Sequence, residues 1–106
     1  MGKTKSFEQA VLARAKTDKA YREGLLAAAI QEISVNNLAV ARALLRHSVN
    51  ASIGFETLAS YMDKSPKSLM RMLSANGNPT LSNIARILAV LLERTNSRIT
   101  VTIEPD

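Results

Sequence analysis

The residues of this chain whose types and spacing could do chemistry lie between positions 64 and 80. Lys64, Ser65, Pro66, Lys67, Ser68, Met70, Arg71 and Ser74 are followed by Asn76, Asn78 and Thr80. None of them makes a nucleophile–base pair, so the chemistry on offer is recognition through charge and hydrogen bonds. An arginine at position 71 can clamp a guanine edge with two hydrogen bonds, Lys67 can reach a guanine or a phosphate, and Met70 can touch a thymine methyl. Lys64, Ser65, Asn76, Asn78 and Thr80 suit phosphate oxygens through side chains and backbone amides. A blander reading stands beside this one: Met70 caps the apolar core, Lys67 is a surface lysine, and Asn78 and Thr80 serve a turn and a helix cap.

Two short helices must position these groups. Phe55, Leu58, Ala59 and Met62 recur at i, i+3, i+4 and i+7, and Leu69, Met72 and Leu73 resume that spacing after a polar break at Asp63, Lys64 and Ser65. Residues 55–74 therefore read as a helix-turn-helix. On the second helix Lys67, Met70, Arg71 and Ser74 share the outward face. Ser65 is a good cap and Pro66 suits the first helical position. Four free backbone donors at that end would then project beside Lys64 and Lys67, as a phosphate requires. The turn usually carries Gly, and this chain has Asp63 there.

Charge agrees with that placement. The chain carries a formal +5, and residues 64–92 hold four basic side chains, Lys64, Lys67, Arg71 and Arg86, with no Asp or Glu. At 106 residues and 46% apolar content one domain with an aliphatic core is expected, and four aromatic residues without Trp favour helices over a sandwich. The chain has no Cys, which removes disulfides and thiolate metal sites and fits a reducing cytosol. Neither a signal-peptide run nor a membrane-length apolar stretch is present, so a cytoplasmic protein is expected.

The remaining elements fall around the helical pair. Residues 1–16 read as a basic tail followed by a short helix with Phe7, Ala10, Val11 and Arg14, and residues 17–106 as the single domain. Thr17 and Asp18 offer caps for a helix over 19–34, with Leu26, Ala29, Ile30 and Ile33 as its stripe. Asn37 can cap a third helix over 38–50, apolar over a wide arc, with Arg42 and Arg46 on its remaining wet edge. The breaker run 75–80 precedes a last helix with Leu81, Ile84, Ala85 and Leu88 as its expected core face. Residues 87–92 are apolar all round, which leaves Ile87, Val90 and Leu91 for a second copy of the chain. Residues 98–104 alternate Ile99, Val101 and Ile103 with threonines, a strand pattern within a dimerisation segment over 97–106. The expected fold is thus all-α, a bundle of about six helices with a C-terminal strand used in dimerisation.

Over residues 58–79 the spacing resembles the lambda-repressor-like helix-turn-helix regulators, and more closely the antidote proteins of toxin–antitoxin modules. The residues that carry the resemblance are Leu58 and Ala59, Ser65, Leu73 and Ser74, then Gly77, Asn78 and Pro79, followed by an amphipathic helix. Asp63 replaces the usual Gly, and Lys64 the usual apolar residue after it. The resemblance implies a repressor that binds its own operator, an inverted repeat of double-stranded DNA, and a small, basic, RelE-like toxin as partner.

Catalysis finds no support: there is no Gly-rich phosphate loop, no His–acid pairing and no converging carboxylates. No cofactor is implied. His47 stands alone beside Val40 and Leu44, and a metal needs more ligands, so a half-buried core histidine is expected. Two other functions remain open: a stand-alone phage- or plasmid-type repressor, and a protein-interaction module whose helix pair is structural and whose strand clamps a partner.

Overall fold

The structure, a computed structural model, describes residues 9–10 and 18–106. Among these the chain is all-helical, with five helices: α1 (Lys19–Ser34), α2 (Leu38–Ala51), α3 (Gly54–Met62), α4 (Pro66–Met72) and α5 (Leu81–Arg94). The short helix expected from Phe7 lies outside the described residues, apart from Gln9 and Ala10, which are helical.

Helix boundaries follow local chemistry. Asp18 caps α1 by accepting from the Tyr21 amide at 3.1 Å, Ser65 caps α4 through the Ser68 amide, and Thr80 caps α5 through the Asn83 amide. Asn37 occupies the cap position of α2 without a side-chain cap bond, and its Nδ2 donates to Glu32 Oε1 at 2.7 Å. Two asparagines end helices in the left-handed conformation, Asn36 after α1 and Asn96 after α5. Gly54 opens α3 at φ 80°, where a side chain would be strained.

The hub of the packing is α3, which touches α2, α4 and α5, while α1 lies chiefly along α2. Phe55, Leu58, Ala59 and Met62 all point inward, so the spacing expected of this helix is the spacing found. Leu45 and Val49 of α2, Leu69 of α4, Leu73 just beyond it, and Ile87 and Leu91 of α5 close the core around them. Each fully buried Leu or Ile contributes about 1.5–3 kcal/mol relative to exposure. Ser48, the one buried polar residue among the described residues, bonds its hydroxyl back to the Leu44 carbonyl, so it leaves no unsatisfied group.

Three expectations are corrected here. The core face of α5 is Ile84, Ile87, Leu88 and Leu91, not the stripe that starts at Leu81; Leu81 is 83% exposed and Ala85 faces solvent. Ile87 and Leu91 are sealed in the chain's own core at 0% and 2% exposure and are not free for a second copy, while Val90 packs half-buried against that core. Residues 97–106 carry no strand, because a strand exists only through ladder hydrogen bonds and no other strand is present among the described residues. Val101 and Ile103 are consequently 76% and 92% exposed. This segment and Leu26, Ala27 and Ile30 of α1, with Leu92 of α5, line a groove of about 910 Å³. No helix among the described residues is long and apolar enough to cross a membrane.

Candidate nucleic-acid interface

The turn between α3 and α4 sets the site. Asp63 closes α3 at φ 55° and ψ 45°, in the left-handed region, and the Lys64 amide returns to the Ala59 carbonyl at 3.3 Å. Aspartate tolerates this conformation better than most residues, which is how the turn forms without the usual glycine. Ser65 is extended and starts α4 at once, with Pro66 in its first turn.

α4 has seven residues and buries Leu69 completely, with Leu73 sealed directly after it. That anchoring turns Lys67, Met70 and Arg71 outward together, all three exposed. The N-terminal end offers less than the sequence suggests. Pro66 has no N–H, the Ser68 amide goes to Ser65 Oγ at 3.1 Å, and the Leu69 amide goes to the Ser65 carbonyl at 3.2 Å. Of the expected amide cluster the Ser65 and Lys67 N–H groups remain, and α4 presents chiefly a side-chain face.

The carboxyl end of α4 is held from another helix. Arg42 Nε donates to the Ser74 carbonyl and its Nη2 to the Ala75 carbonyl, both at 3.0 Å, and Arg46 Nη1 donates to the Leu73 carbonyl at 2.7 Å. These two arginines of α2 are half-buried under the reading helix, a correction to the wet edge expected for them. Arg86 does the same for α3, donating from Nη2 to the Met62 carbonyl at 2.9 Å. Three guanidinium groups thus sit on carbonyls at or just beyond the ends of the two helices, where cations also oppose the negative end of the helix dipole.

The other expected contact residues separate by role. Ser68 and Ser74 are half-buried, and Ser74 Oγ donates to the Arg71 carbonyl. Lys64 is half-buried, whereas Ser65, Asn76, Asn78 and Thr80 are exposed, and the hydroxyls of Ser65 and Thr80 are committed to caps. Gly77 lets the exit loop return against α4: a Cβ there would collide with the Met72 carbonyl. Asn78 and Pro79 also line a small apolar pocket of about 170 Å³ with Leu38, Ala41 and Ile84. Among the expected dimer residues, Ile99, Val101 and Ile103 are exposed.

Sequence reasoning missed Arg42, Arg46 and Arg86 as structural groups and the α1 side of the C-terminal groove. The arginine pair had a local signal, its i, i+4 spacing, but nothing local names acceptors 27 to 33 residues away. His47 is half-buried on α2, and no group of three His, Cys, Asp or Glu that could hold a metal occurs among the described residues. Comparison with known proteins found no matching family model, no matching curated protein and no matching solved structure.

Proposed function

We propose that this chain is a sequence-specific, double-stranded-DNA-binding repressor that works as a homodimer, with a lambda-repressor-like arrangement in which α4 enters the major groove. The observation that carries the reading is the joint exposure of Lys67, Met70 and Arg71 on a short helix within a stretch free of acids. An α-helix with its side chains is about 10–12 Å across and the major groove is about 12 Å wide, so α4 can lie in the groove with its exposed side chains at the base edges. Arg71 would clamp a guanine, Lys67 a guanine or phosphate, and Met70 a thymine methyl. Lys64 and the exposed polar groups at Asn76, Asn78 and Thr80 would track the backbone.

Residues 98–104 carry the dimer in this reading. Two copies of Ile99, Val101 and Ile103, paired across a two-fold axis, would supply each other's missing ladder, and the two α4 helices of such a dimer would read half-sites about 34 Å, or a multiple of that, apart. The operator is then an inverted repeat. The antitoxin assignment rests on the resemblance over residues 58–79 and adds autoregulation and neutralisation of a small, basic, RelE-like toxin.

The test is a titration of labelled DNA from upstream of the gene at two salt concentrations. Tight binding to one duplex over a scrambled one, weakening steeply with salt, supports the reading; salt-quenched binding with no sequence preference sinks it. The second reading, a protein-interaction module, is favoured by the exposed apolar run at the C-terminus. Deleting residues 97–106 separates the two. Loss of dimer and of operator affinity, with half-site binding retained, belongs to the repressor; loss of partner capture by a chain that never preferred any duplex belongs to the module.

A further inference from the structure

We infer that Arg42 and Arg46 are positioning residues for base reading: they hold α4 at its carboxyl end in the orientation that presents Lys67, Met70 and Arg71, and they do not contact phosphate themselves. This rests on the proposed DNA-reading role of α4. On charge alone the two side chains would be assigned to the DNA backbone, since they are basic and lie on the helix beneath the reading helix.

Their bonds point elsewhere. The two guanidinium groups engage three consecutive carbonyls, those of Leu73, Ser74 and Ala75, at 2.7 to 3.0 Å. These are the groups that follow the last residue of a helix too short to hold its own axis, since seven residues make two turns. At its other end α4 is fixed by Ser65 and by the left-handed Asp63. Beneath, Leu69 anchors one face. A rotation of α4 about that anchor is what the arginines prevent, and such a rotation would misalign a planar two-bond contact between Arg71 and a guanine while leaving long-range charge attraction intact. Arg42 spans two carbonyls with one planar fork, a geometry that a lysine ammonium does not reproduce.

The experiment uses the full-length protein and a duplex selected by the wild type from a randomised pool, with a scrambled duplex of equal length as reference. Arg42→Gln, Arg46→Gln and the conservative Arg42→Lys are compared below the unfolding temperature of each. The expected result is a loss of affinity for the selected duplex by about 5- to 150-fold, the worth of one two-bond base contact. Affinity for the scrambled duplex and the salt slope on it should be unchanged, and Arg42→Lys should fall between. Equal losses on both duplexes with a slope reduced by about one would make these residues phosphate ligands and overturn the inference. Variants that behave as wild type on both would overturn it as well. A wild type that selects no duplex overturns the DNA-reading role instead, and the clamp is then judged by amide exchange: faster exchange along α4 in Arg42→Gln supports it, and unchanged exchange refutes it.

Discussion

Arg86 reaches from α5 to the Met62 carbonyl at 2.9 Å, so the last turn of α3 is closed by a side chain 24 residues further along the chain. The bond joins the two helices on either side of the reading helix at the point where the turn begins. A hydrogen bond to a charged group is worth about 1.5–3 kcal/mol, towards the low end here because Arg86 is exposed to solvent. Arg86→Ala is expected to lower the unfolding free energy by that amount, read as a lower urea midpoint with an unchanged slope, and an unchanged midpoint would show that solvent replaces the bond at no cost.

The turn itself makes a second prediction. Asp63 holds a left-handed conformation that costs most L-residues about 1–2 kcal/mol. Asp63→Val should destabilise by roughly that amount, while Asp63→Gly should stay within about 1 kcal/mol of wild type, since relief of strain is offset by greater freedom in the unfolded chain. Urea unfolding of the two variants checks this, and equal stability of Asp63→Val and wild type would refute the left-handed turn.

Gly77 is needed for space rather than for a left-handed backbone. Gly77→Ala drives a Cβ into the Met72 carbonyl, and the exit loop that carries the Ser74 and Ala75 carbonyls must move away. A loss of about 1–3 kcal/mol is expected, or a fall in Tm of about 4 °C or more. A melting temperature equal to wild type would mean that the loop has room it does not show.

On DNA, Arg71→Ala and Lys64→Ala should differ in kind. The first is expected to cost about 1–3 kcal/mol on the selected duplex and to relax preference at one base pair. The second should weaken selected and scrambled duplexes alike and reduce the salt slope by about one. Binding curves for both variants at two salt concentrations check this, and two variants that bind as wild type does would mean that α4 is not the reading face.

What this chain reveals without its tertiary structure is whatever depends on neighbours within a turn or two. The inward set Phe55, Leu58, Ala59 and Met62, the caps at Asp18, Ser65 and Thr80, and the exposure of Lys67, Met70 and Arg71 all follow from a period of 3.6 residues and from bonds spanning three. The all-helical class follows from the same source. Tertiary structure decided which side of α5 faces inward, because residues 81–92 offer more than one apolar stripe and only the docking of α5 on α3 selects Ile87 and Leu91 over Leu81. It also decided the fate of the arginines. Arg42, Arg46 and Arg86 look like surface charge in sequence, and they lie on carbonyls at or near the helix ends only because the chain brings segments 24 to 33 residues apart into contact. The alternating run at 98–104 shows the same limit from the other side: alternation marks a segment able to form a strand, but the ladder that makes it one must come from elsewhere in space.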